Sequence, residues 1–213
     1  SHDSGLNVTD SVQEIKELKE KGSYVFKSGD MVIPLMNLDG EVRSVQTISS
    51  YGDSKSFKSF AVGGEKQGMF YQTDGQVPDG KKPIYIAEGI ATADAVSQLS
   101  NSPVVTVFDA GNIEPVVQSF RDRYPSTEII IASDNDHHKK VVNGKELPNV
   151  GVEKAQEVAK KYNCLVVTPN FSPDDRGTDW NDLLLDQGFD EAKRQFSREL
   201  QQERELASPD FDR

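Results

Sequence analysis

One cysteine in 213 residues, Cys164, is the first shortage that matters. It excludes an internal disulfide and every multi-cysteine zinc site, and its place in an apolar run predicts burial, so a reducing cytoplasm is the expected home. Basic residues are short too: 24 Lys and Arg against 35 Asp and Glu leave a formal net charge of −11. A surface coated in positive charge is excluded, and any contact with nucleic acid has to come from a local patch. No apolar stretch nears the roughly 18 residues of a membrane span, and no charged-then-apolar leader opens the chain, so neither a membrane partner nor export is expected. Gly-x-x-x-x-Gly-Lys-Ser/Thr is missing, which leaves no phosphate loop for a motor ATPase. Nor is there a Gly-x-Ser-x-Gly elbow for a serine hydrolase. A receiver domain would carry paired acids after its first strand and a single one after its third; here that order is inverted.

What the chain does contain divides near residue 78. Val12, Ile15 and Leu18, with Asp10 or Ser11 before them and Gly22 behind, predict a helix over 10–21. Short β-prone runs follow (31–36, 42–48, 56–62 and 69–71), punctuated by Asp39-Gly40, Gly52-Asp53 and Gly63-Gly64, which predicts a small antiparallel meander. Residues 72–82 collect turn formers and charge, as a linker does. Strands and helices then alternate: strand 83–87, helix 91–100, strand 103–108, helix 113–123, strand 128–133, helix 151–162, strand 164–168. This pattern predicts an α/β domain over 79–203, a parallel four-stranded sheet with helices on both faces. Helices over 179–186 and 189–203 close it, and 204–213 is expected to be a disordered tail.

Two acidic clusters end buried strands: Glu88 after Ile84-Tyr85-Ile86-Ala87, and Asp134-Asn135-Asp136 after Ile129-Ile130-Ile131-Ala132-Ser133. Open parallel sheets bind ligands beyond the carboxyl ends of their strands, where strand order reverses. Right-handed crossovers and an order of 2-1-3-4 place that reversal between the first and third strands, so Glu88, Asp134 and Asp136 are expected to share one pocket. An extended chain points residues i and i+2 the same way, which brings both aspartates to one ion. A pocket of carboxylates with no soft ligand suits Mg²⁺ or Mn²⁺. Asp179, in Thr178-Asp179-Trp180-Asn181-Asp182, reads either as the cap of the following helix or as a further acid near the same edge.

Lys55, Lys58 and Lys66 stand among Phe57, Phe60, Gly63 and Gly64. On its own the stretch reads as a half-buried strand with solvated lysines. The alternative is a strip that grips the phosphates of a nucleotide or a single strand. His137-His138-Lys139-Lys140 opens a loop running to about Pro148, read as mobile and substrate-facing.

Glu after the first strand and Asp-x-Asp after the third resemble the Toprim fold of bacterial primases, topoisomerases and some nucleases. Ala87-Glu88-Gly89-Ile90-Ala91-Thr92-Ala93, Phe108-Asp109-Ala110-Gly111-Asn112, Ala132-Ser133-Asp134-Asn135-Asp136-His137-His138 and Thr178-Asp179-Trp180-Asn181-Asp182-Leu183 together resemble the Toprim primases of plasmids, conjugative elements and phages. The resemblance implies a primase catalytic core that makes short primers on single-stranded DNA from nucleoside triphosphates. It implies Glu88, Asp134 and Asp136 as catalytic residues and, from similarity to a Lys-Asp-x-Asn segment, Asp179 as a further ligand of the metal. Glu88 is a metal ligand or a proton acceptor on this reading. Lys55, Lys58 and Lys66 would face phosphates, and a helicase or relaxase domain, on this or another chain, would be a partner. Thr178 stands where relatives have lysine, and the zinc module found ahead of many such primases is missing. A Toprim nuclease and a non-catalytic binding module are the alternatives; none of the six tyrosines has the setting a topoisomerase needs.

Overall fold

The computed structural model describes residues 29–51, 55–137, 141–142, 145–146 and 149–208. The helix expected over 10–21 lies outside them. At the centre is a sheet of β5 (Ile84–Ala87), β6 (Val104–Thr106), β7 (Ile129–Ala132) and β10 (Leu165–Val167), joined at one edge by β4 (Tyr71–Gln72). The order is β10-β7-β5-β6-β4, with β4 antiparallel to β6 and the other pairs parallel. The expected four-stranded parallel sheet is thus corrected to a mixed one of five strands.

Alternation within each strand explains why both faces are covered. In β5 and β7, Ile84, Ile86, Ile129 and Ile131 enter one core, against α2 (Ile113–Arg123) and α3 (Val150–Tyr162). Their neighbours Tyr85, Ala87, Ile130 and Ala132 enter the other, against α1 (Ile90–Ser100), α4 (Trp180–Gln187) and α5 (Phe189–Ala207). Residues buried on both faces read as the continuous apolar runs seen in the sequence. Helices α1 and α3 stop at Asn101 and Asn163, each left-handed, a role asparagine fills with little strain. The Arg121 guanidinium then gathers the carbonyls of Tyr162, Pro125, Thr127 and Asn163, tying the end of α3 to the turn that enters β7.

A second sheet, β1 (Met31–Met36), β2 (Val42–Tyr51) and β3 (Lys55–Phe60), is antiparallel throughout. The run 69–71, expected as its fourth strand, instead leads into β4. Met36 and Phe70 exchange backbone hydrogen bonds of 2.8 and 2.9 Å, and their side chains sink into the main core, where the Phe70 and Phe120 rings lie 5.0 Å apart. Burial of these two side chains draws the segment to the edge of the large sheet. Residues 72–82, expected as a linker, are anchored: Tyr124 donates to the Pro78 carbonyl at 2.7 Å and Thr127 to that of Gly80 at 2.6 Å. Gly80 packs on the Tyr124 ring, where a Cβ would come within 2.4 Å.

Two further differences concern the loop and the tail. The loop after His137 carries a short hairpin of β8 (Val141–Val142) and β9 (Lys145–Glu146). Helix α5 continues to Ala207, past residue 203 where the tail was expected to begin. Arg204 explains the extension, since its guanidinium grips both oxygens of Glu128 at 3.1 and 2.6 Å.

Phe120 is wholly buried where the two sheets meet. Replacing it with alanine is expected to cost about 3–5 kcal/mol, the usual range for a large aromatic cavity. Urea unfolding of Phe120→Ala checks this, and a shift below 1 kcal/mol would refute a core at that junction.

Candidate active site

Register decides which acids meet. Strands β5 and β7 pair in step, Ala87 opposite Ala132, so the chains leave the sheet at one level. Glu88 follows directly, and Asp134 and Asp136 come after Ser133, whose amide still bonds to the Val167 carbonyl at 3.0 Å. The Glu88 carbonyl is held from β6 by the Phe108 amide at 2.7 Å and the Thr106 hydroxyl at 3.0 Å. With its backbone fixed, the Glu88 side chain projects toward the acids of neighbouring loops. Burial pushes its carboxyl above the ordinary range, and the charges of Asp109 and Asp136 add to this, while the Ala110 amide and Lys58 oppose it.

Asn135 orients the triplet. Its amide donates to the Thr178 carbonyl at 2.6 Å, its side-chain nitrogen donates to the Pro169 carbonyl at 2.8 Å, and its side-chain oxygen accepts from Asn149 at 2.8 Å. These bonds tie the exit of β7 to the exit of β10 and to the start of α3, and alternation along the extended chain then turns Asp134 and Asp136 away from Asn135. Gly151, in the first turn of α3, lets the helix approach closely, for a Cβ there would sit 3.2 Å from the Asp134 carbonyl oxygen. Asp134 is the most perturbed of the acids. Burial, followed by the charges of Glu88, Asp179 and Asp136, pushes its carboxyl up to about 7, with the nearby Thr92 hydroxyl acting the other way. Its Oδ1 is buried with no hydrogen-bond partner.

Asp179 is the cap of the helix that follows it and also lies near the acids at the sheet edge. It caps α4, accepting from the Asp182 amide at 2.8 Å, and it stands close enough to Asp134 to raise that group's pKa. Thr178 donates from its amide to Asp182 Oδ2 at 2.8 Å, closing the turn from the other side. Asp134 is therefore within electrostatic reach of Glu88, Asp136 and Asp179, and Glu88 within reach of Asp136. Among the described residues, however, no group of three or more His, Cys, Asp and Glu side chains is arranged, as it stands, to hold one metal ion. The donor set is all oxygen, and the unpartnered Asp134 Oδ1 is the kind of atom a hard cation satisfies.

The three lysines separate. Lys58 lies near enough to Glu88 to counter its burial, and it lines a cleft of about 680 Å³ with Ile33, Ile48, Tyr71, Ile90 and Ala91. Lys66 pairs with Asp109 and lies 4.7 Å from the centre of the Phe60 ring. Lys55 is placed only by register, opposite Tyr51 in the small sheet. His137 stacks on Phe171 with ring centres 5.4 Å apart, and its Nε2 donates to the Asp175 carbonyl at 3.1 Å.

Asp109, Asn112, Asn135 and Thr92 stand in the family motifs quoted from the sequence, but sequence reasoning gave none of them a role. Asp109 adds to the charge on Glu88 and caps the short turn after β6, accepting from the Asn112 amide at 3.0 Å. Asn112, buried, binds Gly68, Met69 and Val107 and so stitches the 66–69 segment to the main sheet. Phe108, just before Asp109, adopts a left-handed φ of 72°, strained for an aromatic residue, with its ring edge-on to Phe60. An Asp-x-x-Asn pattern just past an apolar run was the available signal for the first two. Nothing local marks Thr92 or Asn135, whose partners lie far along the chain.

The family profile described as "Toprim domain" matches residues 83–190. A curated relative, DNA primase TraC of Escherichia coli, is 32% identical over 142 residues, covering 66% of this chain and 13% of its own length. The match therefore spans only about an eighth of that relative. A chain of the solved complex of bacteriophage T7 lagging-strand DNA polymerase with primase domains of two gp4 subunits, bound to an RNA/DNA hybrid and dTTP, matches with a TM-score of 0.55. It is 19% identical, covering 85% of this chain and 86% of that one. The Aquifex aeolicus primase, comprising zinc-binding and RNA polymerase domains, matches with a TM-score of 0.54 at 12% identity, over 90% of this chain and 49% of its own. At these identities the two solved structures speak for the fold alone.

An acid raised from 3.8 to about 7 binds its proton in the folded state while the unfolded chain has released it. Between those values folding takes up protons, so the contribution of Asp134 to stability is lost as pH rises. Glu88 acts in the same direction. Glu114, held at about 2 by Lys161 and Lys154, acts oppositely but only below its ordinary value of 4.5. In chelator-containing buffer the melting temperature is expected to fall between about pH 5 and pH 7, and Asp134→Asn should flatten that slope. Equal slopes in parent and variant would show that Asp134 is not the strained acid.

Proposed function

The chain belongs to the Toprim family, and from that premise we propose that it is a primase catalytic core, joining nucleotides into short primers on a single-stranded DNA template. The observation that carries this reading is the convergence of Glu88, Asp134, Asp136 and Asp179 on one edge of the sheet, where Asp134 cannot ionise freely. The DNA primases among its relatives give the reaction class.

Glu88, Asp134, Asp136 and Asp179 would hold Mg²⁺ or Mn²⁺, because their oxygens are hard donors left short of compensating cations. Such ions, when bound, stabilise the attacking and leaving oxygens of an in-line displacement at phosphorus. The rest falls to the chain. Asn135 keeps the two aspartates facing the reacting phosphates. Lys58, beside the cleft, and Lys66, held ready by Asp109, offer positive charge to the triphosphate of the incoming nucleotide, and Lys55 extends that strip toward the template. The segment 1–78 faces the template, and 79–203 performs the transfer. A raised carboxyl among these acids is also suited to take the proton of the attacking 3′-hydroxyl. Template DNA and nucleoside triphosphates are the partners in a cytoplasmic setting, with a helicase or relaxase domain supplying access to single strands. No helix among the described residues is long and apolar enough to cross a membrane.

The chain, given single-stranded DNA, ribonucleotides and Mg²⁺ or Mn²⁺, is expected to yield short oligonucleotides. Asp134→Ala should lower that yield about 100-fold or more, the usual scale for losing a group that stabilises transition-state charge, with an unchanged circular dichroism spectrum. Normal synthesis by the variant would remove Asp134 from the site. Metal-dependent nicking of plasmid DNA without nucleotide incorporation would replace the primase reading with that of a Toprim nuclease.

A further inference from the structure

Thr92 stands in the first turn of α1 and is 2% exposed. Threonines near helix starts commonly turn their hydroxyl back on nearby backbone. This one donates instead to Asp179 Oδ2 at 2.9 Å, 87 residues away along the chain. The same hydroxyl lies near enough to the Asp134 carboxyl to act against its upward displacement. One small group therefore sits between two acids delivered by different loops.

A hydroxyl has a single proton, so it donates to one carboxylate at a time. By donating to Asp179 Oδ2, while the Asp182 amide holds Oδ1 at 2.8 Å, it leaves that carboxylate no freedom to rotate. β-Branching adds stiffness, since a buried threonine methyl restricts χ1 and with it the direction of the hydroxyl. Asp134 Oδ1 meanwhile remains buried without a partner, a costly state for a polar atom in a finished interior.

The geometry points to Thr92 as the positioning residue of the cation site: its hydroxyl sets the orientation of Asp179 relative to Asp134 and leaves Asp134 Oδ1 open to the ion. The inference rests on the reading that these acids bind a divalent cation. Thr92 does not touch the ion or the substrate; it acts through the two aspartates. Groups that orient metal-binding side chains in this way are generally worth a substantial share of the affinity.

The test is calorimetric titration of Mn²⁺ into the whole chain and into Thr92→Val, Thr92→Ala and Thr92→Ser, with circular dichroism to verify folding. Valine keeps the shape and removes the hydroxyl, alanine removes both, and serine keeps the hydroxyl. The valine and alanine variants are expected to bind Mn²⁺ about 10–100-fold more weakly, and serine to stay within about threefold of the parent. Parent-like affinity in the valine variant overturns the assignment, as does a serine variant as weak as valine, because the methyl and not the hydroxyl would then matter. If valine does not fold, the alanine and serine variants decide in the same way. A parent chain that binds no Mn²⁺ overturns this inference together with the reading beneath it, whereas the other adverse results leave that reading standing.

Discussion

The in-step parallel pairing of β5 with β7 is the constraint on which the rest depends. Hydrogen bonds between neighbouring strands fix the ends of both at one level, and the loops that leave those ends carry Glu88 and the Asp134-Asn135-Asp136 triplet. A shift of one residue would exchange the two faces of β7 and force Ile129 and Ile131 into the core now filled by Ile130 and Ala132. Apolar burial on both faces therefore enforces the register, and the register brings like charges together.

Carboxylates gathered at a partly buried edge repel one another, and the surrounding polar groups show how the fold holds them. Asn135 bonds two neighbouring loops through its side chain, Asp182 clamps the turn before α4, and the Glu88 carbonyl is bonded twice from β6 and the residues just after it. None of these contacts neutralises the acids. They fix positions, and burial, followed by the charges of neighbouring acids, displaces Asp134 and Glu88 upward, while Glu114, bonded to Lys161 and Lys154, is displaced downward.

The small sheet is coupled to the large one by packing and by a few polar stitches. Met36 and Phe70 carry the apolar share, and Asn112 with the Lys66–Asp109 pair carries the polar share, adjacent to Glu88. Lys58, in a strand whose spacing reads as half-buried with solvated lysines, consequently lies near Glu88. Lys58 reaches Glu88 electrostatically from the small sheet, a relation that spacing along the chain does not reveal.

Local pattern determined much of this protein. Alternating strands and helices after residue 83, and acids placed just beyond apolar runs, follow from periodicity and from the chemistry of strand ends, both short-range properties. Glu88, Asp134, Asp136 and Asp179 were legible for that reason. Tertiary structure alone decided that 69–72 would leave the meander for the edge of the main sheet, since the competing burial sites for Met36 and Phe70 are defined only once Phe120 is in place. It also decided that Thr92, Asp109 and Asn135 would orient or charge the site, because a hydrogen bond or Coulombic interaction between residues far apart in the chain depends on separation in space, which no local pattern encodes.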